Sequence, residues 1–216
     1  SVGHNRLKVN VVGSHGGVSN GKDGPSAHAI EDVALFRAMP TFAVVVVADA
    51  NQLPVAIQAS IDHPSPVYLR LYREPTPVFY ESSPSFEIGR ANVLRDGSDV
   101  TILACGPHVG YCLAWADALK DRFSAEVIDC HTVTPLDAET ILRSAEKTKA
   151  VVTVEDHLIV GGLGSAAAEL LSEQMPTRLR RVGLTGYAAS GPYFELLDKV
   201  GLGLNAVTKA VDEVLA

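Results

Sequence analysis

Residues 9–28, VNVVGSHGGVSNGKDGPSAH, join a short valine-rich run to a long loop that is dense in glycine. The run, which extends from Lys8 to Gly13, has the apolar, β-branched character of a short buried strand. The loop, residues 14–28 and termed the glycine loop below, places two histidines, a lysine and an aspartate among its glycines. Titratable groups on a loop at a strand end are typical of ligand sites in α/β proteins. A plain surface turn would have the same composition, so both interpretations stay open here.

The bulk composition indicates a globular chain that forms one large domain or two small ones. Of its 216 residues, 47% are hydrophobic and 20% are charged, which is enough apolar material for a core. The net charge of −7 argues against nucleic acid or an anionic membrane as a non-specific partner. No apolar run approaches the roughly 18 residues that a membrane span requires. We therefore expect neither a nucleic-acid nor a membrane partner.

The cysteines and the first residue give two further expectations. Cys105, Cys112 and Cys130 are odd in number and form no C-x-x-C pair, which favours a reduced, cytoplasmic protein over a disulfide framework. The sequence starts at Ser1 rather than at a methionine. We expect it to be a fragment of a longer chain, cut inside a domain.

Strand-like runs alternate with helix-like stretches along the chain. Strands are expected at 8–13, 42–47, 66–72, 87–94, 100–104, 126–130, 150–154 and 179–184. Helices are expected at 29–39 after a Ser26 cap, and at 54–61, 109–119, 135–146, 161–172, 194–200 and 206–215. A turn at Asp96-Gly97 predicts a hairpin between two of the strands. The alternation predicts an α/β fold with mainly parallel sheets and right-handed crossovers.

Residues 74–86 interrupt this alternation. They contain Pro75, Pro77 and Pro84 together with three serines, which is the composition of a linker. We place a domain boundary in this stretch.

The glycine loop contains part of a nucleotide phosphate-binding pattern, Gly16-x-x-x-x-Gly21-Lys22. The position after the lysine should be Ser or Thr to hold magnesium, but it is Asp23, whose charge would face the phosphates. Pro25 then interrupts the helix that should begin at the lysine. A nucleotide site is therefore disfavoured.

Three other motifs have both a functional and a structural interpretation. Gly161–Ser165 could bind an anion on free amides, but the G-x-G-x-x-G spacing is absent and close packing of a helix is favoured. Glu155–His157 could carry a proton or form half a metal site, although a charged strand-end turn or an interface is favoured. Arg70 and Arg73 leave the third strand near its carboxyl end, where arginine can hold a phosphate or carboxylate; surface ion pairs are the alternative.

Together these segments resemble the carboxyl-terminal part of transketolase over nearly the whole chain. The resemblance rests on GSHGGV (13–18), GKDGPS (21–26), EDVA (31–34), ADAN (48–51), PVYLR (66–70), TPLD (134–137), VEDH (154–157), GGLGS (161–165) and SGP (190–192). Each segment is weak alone, but their order is specific. Within this family, the sequence is most similar to the separately encoded carboxyl-terminal subunits of transketolase-like enzymes.

The resemblance implies a fold and a reaction. Residues 1–78 would form the back part of the pyrimidine-binding domain and residues 79–216 the carboxyl-terminal domain, each a three-layer α/β/α unit. Transketolases move a two-carbon ketol unit between sugar phosphates on thiamine diphosphate, as in the pentose phosphate pathway. The cofactor supplies the carbanion chemistry, while protein groups position the sugar and move protons.

Three residues match family positions that touch the substrate, and a fourth is displaced by one place. The resemblance places His15 near the entrance for the substrate phosphate, Asp23 at a hydroxyl of the donor sugar, and Arg73 on the sugar phosphate. The family has a histidine where this sequence has Ala27, and His28 follows one place later. A shift of one residue at a helix start turns a side chain by about 100°. We treat His28 as a candidate for proton transfer from this changed direction.

The resemblance also implies what other chains or segments supply. The Gly-Asp-Gly…Asn motif that holds magnesium and the diphosphate is absent here, so an amino-terminal half or partner subunit should carry it. The glutamate that activates the aminopyrimidine, and the aromatic residues stacked on it, would precede Ser1. Active sites in this family form between chains, so a homodimer with an amino-terminal subunit is expected.

Three interpretations of function stay open on the sequence. The chain could be part of a transketolase, or part of a related thiamine enzyme such as a 1-deoxyxylulose-phosphate synthase or the beta subunit of a 2-oxo acid dehydrogenase. It could also be a non-catalytic dimerisation or regulatory module that kept the fold and lost the chemistry. The donor and acceptor sugars are not determined by these residues.

Overall fold

A computed structural model describes all residues, 1–216, and contains nine strands and seven α-helices. The strands are β1 (Asn10–Gly13), β2 (Ala43–Val46), β3 (Val67–Arg70), β4 (Asn92–Arg95), β5 (Val100–Ala104), β6 (Ala125–Asp129), β7 (Thr132–Thr134), β8 (Ala150–Leu158) and β9 (Arg178–Leu184). The helices are α1 (Asp32–Arg37), α2 (Leu53–Asp62), α3 (His108–Ala118), α4 (Ala138–Thr148), α5 (Leu163–Gln174), α6 (Tyr193–Lys199) and α7 (Leu204–Leu215).

The first sheet has the strand order β1-β3-β2-β7. Its first three strands are parallel, and β2 and β3 are buried at every position. A strand buried on both faces requires a continuous apolar run, which explains the valine-rich sequence Ala43–Val46. The carboxyl ends of β1 and β3 lie side by side, so the glycine loop leaves the sheet next to residues 71–73.

The second sheet has the order β4-β6-β5-β8-β9 and is parallel except for β4. Helix α7 packs on it through Val207, Ala210, Val211 and Val214, the buried side predicted from the spacing of these residues. The prediction of an α/β fold with two mainly parallel sheets is therefore confirmed.

The two sheets share material across the predicted linker. Residues 74–86 contain no helix or strand. Strand β7 nevertheless pairs antiparallel with β2 and so completes the first sheet with residues that follow the linker by about fifty positions. One hydrophobic cluster combines Val44 and Val46 of β2 with Ile141 of α4 and Leu163 of α5, so the two sheets are packed together.

The predicted hairpin at Asp96-Gly97 is wrong. Strand β4 pairs antiparallel with β6, with Asn92 opposite Asp129, and β5 lies on the other side of β6. Gly97 packs so closely on the backbone of Ala125 that a Cβ there would overlap it. The connection therefore carries the chain past the start of β6 instead of folding β5 back onto β4.

The predicted helix 29–39 is shorter than expected. Residues 25–27 form a 3₁₀ turn, Ser26 makes no capping hydrogen bond, and Ala29 is held by the glycine loop through a Gly17 N–H···O=C bond of 2.7 Å. The helix α1 therefore begins only at Asp32. No helix in the structure combines the length and the apolar character needed to cross a membrane.

Candidate substrate-binding loop

The glycine loop runs from the end of β1 to the approach of α1 through two 3₁₀ turns, Gly21–Asp23 and Pro25–Ala27. Lys22 lies inside the first turn and not at the start of an α-helix. The N-terminal amides of a long helix, which a nucleotide phosphate loop uses, are thus missing. The geometry agrees with the sequence-based rejection of a nucleotide site.

Asp23 and Arg73 are brought together at the open edge of the first sheet. The Arg73 Nη1 atom lies 3.7 Å from Asp23 Oδ2, and each side chain is about half exposed, 48% and 52% respectively. At this separation the two groups form an ion pair but no hydrogen bond, so the donors of the guanidinium remain available. A cation and a carboxylate at the same exposed edge can bind an anionic group and a hydroxyl of one polar ligand.

Ser19 fixes the position of this pair relative to the strands. Its hydroxyl donates to the Gly16 carbonyl at 2.7 Å and accepts from the Arg73 backbone N–H at 3.2 Å. Gly16 N–H in turn donates to the Leu71 carbonyl at 2.9 Å. The glycine loop and the segment after β3 are therefore tied to each other beside the Asp23–Arg73 pair.

The two histidines of the loop differ in environment. His15 is partly exposed, adopts a left-handed backbone with φ of +64°, and has its Nδ1 2.8 Å from the Ser14 hydroxyl. His28 is only 8% exposed, and neither ring nitrogen has a hydrogen-bond partner in the chain. Burial lowers the pKa of His28, opposed by the Gly21 backbone and the charge of Asp23. Its neighbour Ala27 is exposed.

Asp156 of β8 holds the glycine loop from the side of the second sheet. Its two carboxylate oxygens accept hydrogen bonds from Val18 N–H at 3.0 and 3.2 Å. Asp156 has no exposed surface, and its burial raises the pKa of the carboxyl to about 6, opposed by the charge of Arg70 and the Val18 amide. Gly17 has φ of +65°, and a Cβ at this position would overlap the Asp156 carboxyl group.

Arg70 is an internal group, so its interpretation as a ligand-binding arginine is wrong. It is 1% exposed, donates through Nε to Asp32 at 2.8 Å, and also contacts the Tyr72 hydroxyl. Its Nη2 donates to the carbonyls of Ala29 and Asp156, at 2.8 and 3.0 Å. An arginine that is buried and bonded inside the protein through all three of its nitrogen atoms is not free to hold a ligand.

The Glu155–His157 motif lies within β8, not in a strand-end turn, and it is buried at the junction of the two sheets. Glu155 accepts from the amides of Leu163 and Gly164, at 2.7 and 2.8 Å, at the start of α5. The amides at the start of α5 thus bind a carboxylate of the protein itself and not an external anion. Gly162 and Gly164 allow the close packing of this helix that the sequence predicted. His157 accepts from the Ala34 amide at 3.3 Å, so the interface interpretation of the motif is correct.

A cleft of about 420 Å³ opens at the carboxyl ends of β2 and β3. Its wall is mainly apolar, with Val47, Leu53, Leu71 and Val78 among the lining residues. The carboxylate of Asp49, also in the wall, already accepts from the amides of Gln52, Phe79 and Tyr80. The chain contains no cluster of three His, Cys, Asp or Glu side chains that could hold a metal ion.

The sequence interpretation missed Ser19 and Asp156 as parts of this arrangement. Ser19 carried no signal beyond lying in the loop. Asp156 did carry one, because an acid just beyond the mostly apolar strand run 150–154 is either at a strand end or buried with a partner. Its partner, the Val18 amide, is 138 positions away in the sequence.

Comparison with known proteins identifies both parts of the chain. The model of the transketolase pyrimidine-binding domain matches residues 1–78, and that of the transketolase C-terminal domain matches residues 89–207. The 6-deoxy-6-sulfo-D-fructose transketolase subunit SqwH of Clostridium sp. (strain MSTE9) is 41% identical, over 99% of this chain and 67% of that protein. A subunit of the apulose-4-phosphate transketolase of Phocaeicola vulgatus is 33% identical, over 97% of this chain and 68% of that protein.

A solved structure gives the same result. A split-gene transketolase, described as an inactive beta4 tetramer, superposes with a TM-score of 0.92 at 38% identity, over 98% of this chain and 68% of that one. Our chain thus spans about two thirds of the length of these subunits and, for example, 33% of the transketolase of Mus musculus. The chain belongs to the transketolase family, whose members use thiamine diphosphate, and corresponds to the carboxyl-terminal part of such an enzyme.

Proposed function

We propose that this chain binds the sugar substrate of a two-subunit ketol transferase through the exposed edge formed by His15, Asp23 and Arg73. The observation that carries the proposal is the Asp23–Arg73 pair, half exposed and held by the Ser19 hydrogen bonds at the carboxyl end of the first sheet. Ligands in α/β folds bind outside the carboxyl ends of parallel strands. In this arrangement Arg73 binds the anionic end of the sugar and Asp23 accepts a hydrogen bond from a hydroxyl.

The substrate we propose is a sugar with a terminal phosphate or sulfonate. Two relatives are named for such compounds, one for 6-deoxy-6-sulfo-D-fructose and one for apulose-4-phosphate. Both groups offer anionic oxygens that a guanidinium can hold through parallel hydrogen bonds. We propose that His15, on the same loop, adds a further contact to that anionic end.

His28 is proposed as the group that moves a proton at the sugar. Its ring is buried beside Asp23, lacks an internal partner, and is neutral because burial lowers its pKa. A neutral imidazole with a free nitrogen can accept a proton from a substrate hydroxyl and return it. Ala27, at the position where the family has a histidine, cannot transfer a proton, so we assign this role to His28.

An amino-terminal partner completes the enzyme in this proposal. No three His, Cys, Asp or Glu side chains of this chain are grouped for a metal ion, and we assign magnesium and thiamine diphosphate to an amino-terminal segment or partner subunit. The related split-gene transketolase beta subunit forms a tetramer, which supports self-association as well, and we propose a homodimer as the basic unit. Three buried, free cysteines support a reducing compartment, the cytoplasm, as the site of action.

Replacing Arg73 by alanine tests the proposal. The full chain, combined with its amino-terminal partner, thiamine diphosphate and magnesium, is assayed for ketol transfer with a phosphorylated sugar and with the same sugar lacking phosphate. We expect kcat/KM for the phosphorylated sugar to fall about 10- to 100-fold, the value of a charge-assisted contact. The unphosphorylated sugar should be affected much less.

Arg90→Ala is the matched control. Arg90 is also exposed, at 54%, and pairs with Glu139 at 3.1 Å on the far side of the linker. It should leave both reactions unchanged. Equal losses on both sugars for Arg73→Ala would remove the anion-binding role. A reconstituted wild type with no ketol transfer would favour a non-catalytic dimerisation or regulatory module instead.

A further inference from the structure

We propose that Asp156 is a positioning residue for the substrate edge, through which the second sheet sets the geometry of the glycine loop. The inference rests on the proposed function, since the loop it positions carries His15 and Asp23. It assigns to the carboxyl-terminal unit a part in substrate binding and not only in the packing of the fold.

The contact is direct, and its one N–H is shared between two oxygens. Both oxygens of Asp156 receive the Val18 N–H, at 3.0 and 3.2 Å, and neither Val18 nor Asp156 has exposed surface. A hydrogen bond to a charged group inside a protein is stronger than one between neutral groups. Breaking this hydrogen bond would therefore leave two buried polar groups, the Val18 N–H and the Asp156 carboxylate, without their partner.

Gly17 gives the loop room for the Asp156 carboxylate. Gly17 lies against it with φ of +65°, and a side chain there would overlap the carboxyl group. Gly17 N–H also donates to the Ala29 carbonyl at 2.7 Å, which closes the two ends of the glycine loop on each other. The close approach requires glycine at this position, and the positive φ favours it.

Arg70 forms hydrogen bonds with both Asp156 and the residue that follows the glycine loop. It donates to the main-chain carbonyl of Asp156 at 3.0 Å and to that of Ala29 at 2.8 Å. One buried guanidinium is thus bonded both to the residue that holds the loop and to the loop's far end. The position of Asp156 relative to the loop is fixed from two sides.

A short chain of bonds connects this contact to the substrate edge. Ser19 follows Val18 directly, and its hydroxyl joins the Gly16 carbonyl to the Arg73 amide. Asp23 lies only four residues after Ser19, as the last residue of the Gly21–Asp23 turn. An Asp23 N–H···O=C Asn20 bond of 3.0 Å closes this turn. A shift of Val18 therefore moves Ser19, and with it the separation of Asp23 and Arg73.

Two variants of Asp156 and one control test this role. Asp156→Ala removes the acceptor, while Asp156→Asn keeps its shape and one oxygen but not its charge. Glu155→Gln is the control, because Glu155 is equally buried on the same strand and its carboxylate receives the amides at the start of α5. Two properties are measured: hydrogen–deuterium exchange of residues 14–28 without substrate, and ketol-transfer kinetics of the reconstituted enzyme.

We expect Asp156→Ala to speed exchange of the glycine loop about 10- to 100-fold and Asp156→Asn about 3- to 10-fold, following the strengths of charged and neutral hydrogen bonds. KM for a phosphorylated sugar should rise at least about fivefold, a larger change than any fall in kcat, since Val18 acts on the Asp23–Arg73 pair through Ser19. Glu155→Gln should speed exchange at residues 163–174 and leave the loop and KM as in wild type.

The inference fails if Asp156→Asn, which preserves the packing even where Asp156→Ala does not fold, leaves loop exchange and KM at wild-type values. It also fails if Glu155→Gln loosens the glycine loop as much as Asp156→Asn does. A wild type without ketol transfer would overturn the proposed function alone, because loop exchange is measured without substrate.

Discussion

Replacing Gly17 by alanine should destabilise the protein through two separate effects. The backbone at Gly17 has φ of +65°, and a left-handed backbone costs a non-glycine residue about 1–2 kcal/mol. The new Cβ would also overlap the Asp156 carboxyl group, which must leave the Val18 amide. Loss of a hydrogen bond to a charged group adds about 1.5–3 kcal/mol. We expect a total loss of about 3–5 kcal/mol in the free energy of unfolding.

Gly201→Ala separates the two effects. Gly201 has φ of +78°, and no atom lies within 4 Å of a Cβ built there. This variant therefore suffers only the backbone cost, about 1–2 kcal/mol. The difference between the two variants, about 2–3 kcal/mol, measures the contact between the glycine loop and Asp156.

Thermal unfolding followed by circular dichroism provides the assay. For a chain of this size, 1 kcal/mol shifts the unfolding midpoint by about 2–4 °C, so Gly17→Ala should lower it by about 6–20 °C and Gly201→Ala by about 2–8 °C. Urea unfolding at one temperature should give the same order. Equal losses for the two variants would show that the Asp156 carboxylate does not constrain Gly17, and the reasoning on the loop would be wrong.

Two further predictions concern titratable groups. Burial raises the pKa of Asp129 to about 7, so its native carboxyl holds a proton that the unfolded chain releases. Its contribution to stability is full below the unfolded pKa of 3.8 and is lost as pH rises through 7. Wild type should therefore lose about 2–3 kcal/mol relative to Asp129→Asn between pH 5 and 7, measured by urea unfolding; parallel profiles would contradict the raised pKa. His28→Gln should lower kcat of the reconstituted enzyme about 100-fold or more, the usual value of a proton-transfer group. Unchanged turnover would remove His28 from the mechanism, and a control, His15→Gln, should act on KM instead.

The sequence was sufficient for the parts of the fold that depend on local pattern. A continuous apolar run identified β2, and the spacing of Val207, Ala210, Val211 and Val214 identified the buried side of α7. Such patterns can be read from the sequence because burial of one side or of both sides of an element sets the spacing of its apolar residues. Order along the chain then restricts how such elements can connect.

Pairing between distant segments left no comparable signal. Strand β7 has only three residues, and nothing in Thr132–Thr134 indicates that its partner is β2, almost ninety positions earlier. The same holds for β4, which a turn-like Asp96-Gly97 assigned to the wrong neighbour. Register and pairing are decided by how whole faces are buried, which short segments do not encode.

Arg70 and Arg73 show the same limit at the site. Both are arginines near the end of one strand, and the sequence offers no reason to separate them. The structure turns Arg70 inward onto Asp32 and the carbonyl of Asp156, whereas Arg73 is half exposed beside Asp23. Burial of an arginine is tolerated only where its donors are satisfied, and those acceptors come from other elements.

The arrangement around Asp156 connects the fold to the proposed chemistry. An acid in the middle of a buried strand is costly unless it is bonded, and here the compensation comes from an amide of the glycine loop and from Arg70. The loop in turn needs an external support, because its 3₁₀ turns and glycines give it little stability of its own. Each unit thus satisfies a polar group of the other. The contact that stabilises the junction of the two sheets is, for this reason, also the contact that sets where Asp23 meets Arg73.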